Sequence, residues 1–419
     1  MKKIAHTWHY IKQNYHITIQ IRMFGELLTS LTSSMLAPFL LLYLHTKLEG
    51  SVLLPLIIVS LQPLAEIGAT IAGGNIADRF GRKPIILGAL GMQIVAMVGF
   101  MFAESIWLFA SLYILNGIGR SFYIPAERAQ IADVVPDEKR AEVYGVLNTL
   151  GYIGQGLGPV LGMMVFAFEP SYVFGIQACS LLIYSLVFWK KIDETAPGVA
   201  NEIHENLTKT TVKVDSYLSH EPTDSVFVNL KRWIGNHQFV LLLMLCALPI
   251  SFFYAQTETV FRLHVQATFA DYVSIIAILA TVKACLSIGL QIWLIKKTEK
   301  LPLQSIMLIT CLCFMVTSLL YGYSTLLWPL IAAQLLLTIG ESLGLTRLQQ
   351  YVAQIAPATK RGLYFSIHGT HWDISRSIGP IVGGMIFVQA GGASIFTLTA
   401  ILLVACYFAY RFVLSRRSY

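Results

Sequence analysis

Residues 73–84 read GGNIADRFGRKP, and apolar runs of helical length flank them on both sides. One short connection therefore gathers an acid, three cations and three glycines. The rest of the chain sets the context. Its 419 residues are 55% hydrophobic and only 13% charged, whereas a soluble domain carries about a quarter charged residues. So apolar a sequence needs lipid as its solvent and reads as a polytopic membrane protein. The formal charge of +7 does not imply nucleic acid, because the cations cluster in the connections between apolar runs. Cys179, Cys246, Cys285, Cys311, Cys313 and Cys406 all lie within apolar runs, without metal-ligand spacing or a disulfide framework. The opening MKKIAHTWHYIKQNYHI lacks the apolar core and small-residue cleavage site of a signal peptide.

A spanning helix needs roughly 20 mostly apolar residues. Twelve segments qualify: 17–44, 52–77, 84–102, 106–132, 142–167, 172–189, 238–261, 272–295, 302–322, 325–349, 363–388 and 394–413. Short polar connections separate all but the sixth and seventh, between which lies the long polar stretch 190–237. Its end, DSVFVNLKRWIG, places Val226, Phe227, Leu230, Trp233 and Ile234 on one helical face. That pattern fits a short helix lying on the membrane surface, or equally a linker with an apolar stripe. The expected division is 1–189, a six-helix bundle; 190–237, a cytoplasmic loop; and 238–419, a second six-helix bundle.

With the N-terminus in the cytoplasm, 23 Lys and Arg fall in cytoplasmic segments and only Lys47 and Arg262 in outer connections. This asymmetry puts both termini in the cytoplasm of a multi-pass protein of the cell membrane. The halves also resemble each other at a shift of 221 residues. VVPDEKRAEVYGV (134–146) aligns with IAPATKRGLYFSI (355–367), and GPVLG (158–162) with GPIVG (379–383). A parallel six-plus-six duplication follows. Transporters often place such halves around a central site and rock one against the other.

Ionisable residues at membrane depth are costly and are functional candidates by default. The mid-depth set is Glu66, Arg120, Lys283, Glu341, Asp373 and Arg376. Arg120 and Glu341 occupy equivalent repeat positions with opposite charge, so pseudo-symmetry sets them across a cavity from each other. Glu66 and Lys283 are near-equivalent. We expect Glu66 and Glu341 to carry protons or bind cationic substrates, with Arg120 and Lys283 tuning their proton affinity; permanent structural ion pairing is the competing reading. Asp373 and Arg376, at i, i+3, are expected to satisfy each other. Glu26 with Arg22, and Glu258 with Arg262, read as rim pairs one turn apart. Glu127 lies toward the inner end, within snorkelling reach of the surface. His368 and His371 are candidate relay groups near neutral pH or plain hydrogen-bonding residues.

The opening stretch resembles the signature loop of the major facilitator superfamily, G-x-x-x-D-R-x-G-R-K, at Gly74, Asp78, Arg79, Gly81, Arg82 and Lys83. The resemblance implies that Asp78 faces the eleventh helix and that Arg82 pairs with Asp133, which ends the fourth. Together these residues would form a latch that breaks when the halves rock. In the fifth span Gly145, Gly154, Gly158, Pro159 and Gly162 follow the drug–proton antiporter pattern G-x8-G-x3-G-P-x2-G-G, with Met163 in place of the last glycine. The arginine that the family often carries four residues before a glycine of the fourth helix is Tyr113 here, before Gly117. What the resemblance implies is an all-α fold: twelve transmembrane helices in two pseudo-symmetric six-helix bundles. Helices three, six, nine and twelve would be outer supports, and those four spans carry no ionisable residue in their interiors.

The leading functional expectation is a secondary active transporter similar to proton-coupled multidrug exporters. It would be driven by the proton gradient without a cofactor, would act on a small amphipathic substrate as a monomer in the lipid bilayer, and would use alternating access. Proton-linked uptake of a metabolite, translocation of a lipid-like molecule, and a receptor that binds without transport are the alternatives. Enzyme readings fare worse. The glycine clusters NGIGRS and GYIGQGLGP lie within apolar spans, without a preceding strand or a following Lys-Ser/Thr, so they cannot be phosphate cradles. No Ser/His/Asp set or metal constellation can be placed.

Overall fold

The computed structural model describes residues 15–48, 50–73, 80–195, 226–357 and 361–415. These are helical almost throughout, with no β-strand among them. The first span is a bent pair, α1 (Ile17–Leu36) and α2 (Leu40–Lys47), turned by about 40°. The break falls at Pro38, which has no backbone N–H to continue the helical hydrogen-bond ladder. Then follow α3 (Leu53–Gly73), α4 (Arg82–Phe102), α5 (Ile106–Val134), α6 (Asp137–Phe168) and α7 (Tyr172–Lys191). The second half begins with α8 (Val226–Glu258), which is separated from α9 (Val260–Thr268) by a non-helical Thr259. It continues with α10 (Tyr272–Lys297), α11 (Leu303–Tyr323) and α12 (Leu327–Gly340), and a π-helical turn (Glu341–Leu345) then leads into α13 (Thr346–Ile355). The last two spans run through α14 (Arg361–Ser415), which folds back at Gly391, where φ is 82°. A side chain would strain that conformation, so glycine is what permits the reversal.

Nine of these helices are long and apolar enough to cross a membrane, and the bent α1–α2 pair makes ten. Twelve spans result once α14 is counted as the two arms of its kink and α5 is included. α5 carries Arg120, Glu127, Arg128 and Asp133 along its length. The expected surface helix at 226–234 is not a separate element. Its backbone is the first part of α8 and continues into the seventh span without interruption.

Two apolar cores organise the packing. One is built from the first half alone, around Tyr43, Phe100, Phe109 and Phe174. The other gathers Phe253, Phe314, Tyr321 and Phe396 of the second half and also takes in Phe39, Leu41, Leu42 and Leu56 from the first. All four of those lie toward the end of the molecule opposite residues 15 and 415, here called the far end. The two halves therefore meet there through buried apolar surface. At mid-depth α6 touches α10, where Thr281 Oγ1 donates to the Gly156 carbonyl at 3.3 Å.

Between membrane helices the drive to associate comes from close packing rather than from expelling water, and α6 against α1 shows how. A Cβ on Gly154 would come 2.6 Å from Leu31 N, and one on Gly158 would come 2.6 Å from Leu31 O. One on Gly162 would run into the Met35 backbone. Gly145 differs, since a side chain there would meet open space. Close helix crossing therefore explains three glycines of the motif and not Gly145. Gly158→Val is expected to force the two helices apart and abolish the monodisperse peak in detergent chromatography. Gly145→Val should elute as the wild type does, and equal behaviour of the two variants would refute this packing account.

Candidate functional site

A polar stripe runs along α5 at helical spacing: Tyr113, Asn116, Arg120, Tyr123, Glu127 and Gln130. It turns inward, and its upper part meets α3. Asn116 Nδ2 donates to Gln62 Oε1 at 3.4 Å, Gln62 Nε2 to Glu66 Oε1 at 3.0 Å, and Arg120 Nε to the same Glu66 oxygen at 3.0 Å. Both helices supply their groups one turn apart (Gln62 and Glu66; Asn116 and Arg120), so the two pairs zip together. From the second half, Arg376 of α14 reaches Glu258 at the end of α8, with Nη2 3.2 Å from Oε1. Arg262 of α9 donates across to the Ala37 carbonyl in the break between α1 and α2.

These groups line one central cavity of about 510 Å³ between the halves. Its charged wall consists of Glu66, Arg120, Glu258, Arg262 and Arg376. Its apolar wall includes Leu36, Val59, Met97, Phe100 and Leu181. The volume lies within the range of about 300–1,000 Å³ usual for small-molecule sites.

The remaining candidates fall elsewhere. Lys283 Nζ lies 3.2 Å from Glu341 Oε2, and its ammonium also sits 5.6 Å from the Tyr254 ring centroid. This pair is not part of the cavity wall. The two mid-depth glutamates thus each take a cation from their own half, Glu66 with Arg120 and Glu341 with Lys283. The repeat-related positions Arg120 and Glu341 do not pair across the cavity. Three local pairings expected from the sequence are replaced by tertiary ones. Asp373 makes no ion pair among the described residues, because Arg376 goes to Glu258. Arg262 likewise gives its hydrogen bond to a backbone carbonyl, with Glu258 remaining an electrostatic neighbour. Glu26 accepts from Ser30 Oγ at 2.7 Å, and Arg22 turns away from it.

Arg22, counted by sequence among the cytoplasmic anchors, is 1% exposed. Its guanidinium donates to Gln130 Oε1 at 2.6 Å, Tyr184 Oη at 2.8 Å, Glu127 Oε1 at 3.0 Å and Tyr123 Oη at 3.0 Å. The lower part of the α5 stripe is therefore an arginine cage tying α1, α5 and α7 together, and Glu127 belongs to it instead of snorkelling. His368 and His371 stack edge to face at 4.9 Å. Both are buried, and neither ring nitrogen of His371 has a partner among the described residues.

Of the signature loop, Gly74, Asp78 and Arg79 lie outside the described residues. Gly81, Arg82 and Lys83 open α4. Gly81 has φ 95°, and a Cβ there would come 2.5 Å from Glu194 Oε2. The Glu194 carboxylate accepts from the backbone N–H of Arg82 at 2.8 Å and of Lys83 at 3.0 Å. It thereby caps a helix N-terminus, where free N–H groups and the helix dipole favour an anion. Arg82 Nε lies 3.4 Å from Asp133 Oδ2. Glu194→Ala should lower the midpoint of thermal unfolding in detergent by removing a cap worth about 1 kcal/mol. An unchanged midpoint would mean that the cap carries no stability.

Sequence reasoning missed Gln62, Asn116 and Glu194 as structural or site residues, and gave Arg262 only the part of a rim partner to Glu258. A signal existed for two of them, since the matched four-residue spacings on the second and fourth spans mark facing polar edges. None existed for Glu194, which comes from the segment after α7.

Helices long and apolar enough to span a membrane thus enclose a charged chamber between two halves. Residues 22–328 and 298–418 match the sequence model of the Major Facilitator Superfamily, and the chain belongs to that superfamily of secondary transporters. It is 42% identical over 95% of its length to an uncharacterized MFS-type transporter, YhjO, of Bacillus subtilis, covering 93% of that protein. It is 27% identical to the multidrug resistance protein MdtG of Salmonella dublin, over 92% of this chain and 93% of that one. The solved D-xylose–proton symporter superposes with a TM-score of 0.72 at 12% identity, over 94% of this chain and 97% of that one.

Proposed function

We propose that the protein is a proton-coupled exporter of amphipathic small molecules, seated in the cell membrane with both termini in the cytoplasm. The observation that carries this reading is the chamber itself: ion pairs and apolar wall side by side at mid-depth, with buried contacts between the halves at the far end. On this reading the far end faces outward and is closed, and the chamber is reached from the cytoplasm. The 27% identity to a multidrug resistance protein and the glycines of α6 support export over uptake.

Alternating access then follows from the contacts. Opening the far end must separate Phe39, Leu41, Leu42 and Leu56 from the second-half core and break the bond from Arg262 to Ala37 O. On the cytoplasmic side, Arg82 and Asp133 with the rest of the signature loop would act as the latch. Glu66 and Glu341 are the proposed proton carriers. Each has a cation of its own half within 3.2 Å, and the proposed cycle draws that cation away when the carboxyl exchanges its proton.

The test uses inside-out vesicles from cells that express the protein. Addition of an amphipathic substrate should release protons from an acidified lumen, and a protonophore should stop substrate accumulation. Substrate binding without any proton movement would overturn the coupled reading and leave a receptor or a uniporter.

A further inference from the structure

We infer that the central chamber selects organic anions, an apolar tail carrying a carboxylate, sulfonate or phosphonate head, in preference to the cations expected from sequence. This rests on the transporter reading and names its substrate class.

The chamber wall holds three guanidiniums, Arg120, Arg262 and Arg376, against two carboxylates, Glu66 and Glu258. Asp373, three residues before Arg376, is not part of that wall. Both wall carboxylates are already engaged by a guanidinium, at 3.0 and 3.2 Å. The cations have donors to spare. A guanidinium carries five N–H groups in a planar fork. Among the described partners, Arg120 spends Nε on Glu66, Arg376 spends Nη2 on Glu258, and Arg262 spends Nη1 on a backbone carbonyl. The side chains of Arg120 and Arg376 remain 44% and 49% exposed, although they sit at mid-depth.

A second observation points the same way. Tyr113 lines the same wall and is 2% exposed, yet its hydroxyl has no hydrogen-bond partner among the described residues. A buried hydroxyl is normally paired, and an anionic head would accept from it. Forked guanidinium donors are the groups that bind carboxylate and phosphate with two parallel hydrogen bonds. Met97 and Phe100, also in the wall, offer the tail an apolar surface. A cationic ligand would instead face an arginine wherever it left a carboxylate, and would have to displace an existing ion pair to gain one. Export of an anion is also favoured by an inside-negative membrane potential.

The experiment compares two probes of matched tail and opposite charge, 4-phenylbutyrate and 4-phenylbutylamine. Binding to the purified protein in detergent is read from the shift of the unfolding midpoint, and flux is read in proteoliposomes. Phenylbutyrate should bind at least about tenfold more tightly than the amine, a difference expected from charge-assisted hydrogen bonds. Arg262→Gln, which keeps a donor for Ala37 O, should erase most of that preference. Equal binding, tighter binding of the amine, or no binding of phenylbutyrate overturns the inference, whether or not the protein transports. Preferential binding of phenylbutyrate with no flux of either probe upholds the chamber's selectivity and overturns the transporter reading instead.

Discussion

Glu66→Gln is expected to lower proton-driven flux by about a hundredfold, the scale on which loss of a proton-transferring group is felt, while the protein stays folded. The geometry explains both halves of that expectation. Glu66 Oε1 accepts from Gln62 and from Arg120, each at 3.0 Å. A glutamine fills the same volume and keeps a carbonyl oxygen for both donors, so the contact between α3 and α5 survives. What disappears is the ability to exchange a proton as Arg120 swings away. Flux measured with a pH-sensitive dye in the lumen separates the two effects. Downhill substrate exchange should persist in the variant while the pH gradient ceases to drive accumulation. Full coupling in Glu66→Gln would remove this residue from the mechanism and leave the Glu66–Arg120 pair as architecture.

Arg22→Ala should have the largest effect on stability. Arg22 is the hub of a buried cage of four polar partners on α5 and α7. Deleting it leaves Glu127 without its cation and Gln130 and Tyr123 without their donor. Breaking a buried pair by removing one partner costs about 3–5 kcal/mol. The expected result is loss of the folded peak in size-exclusion chromatography. Arg22→Lys should rescue it only in part, because an ammonium cannot reproduce the planar fork that reaches several acceptors at once. A stable Arg22→Ala protein would show that the cage is incidental.

These two residues also show where the sequence was legible. Apolar length gives the spans because each helix must satisfy its own backbone in lipid, and the duplication at 221 residues gives the two halves. The mid-depth charges give the chamber, because charge at that depth must find a partner or water. Pairing within a helix was the wrong rule for choosing partners. Local spacing joined Arg22 to Glu26, Glu258 to Arg262 and Asp373 to Arg376, and in each case the arginine's hydrogen bonds go to another segment of the fold. A guanidinium on a long stem reaches an adjacent helix as easily as the next turn, and the buried side offers better acceptors. The π-helical turn that opens at Glu341 left no readable trace, since it depends on how α12 packs and not on residue type. Glu194 was hidden for a similar reason, because a cap delivered from a distant segment has no spacing to read. The fifth-span glycines were legible as a packing face, except that Gly145 meets nothing.

The central claim is that the halves rock about the chamber, so that one end closes as the other opens. Distances between spin labels test it most directly. One pair is placed at Lys47 and Ala270, exposed positions of the two halves at the far end, and another at Lys191 and Lys300, exposed at the end that carries the termini. Changing the pH or adding substrate should lengthen the first distance and shorten the second in the same protein. Fixed distances at both ends, or changes of the same sign, would contradict alternating access.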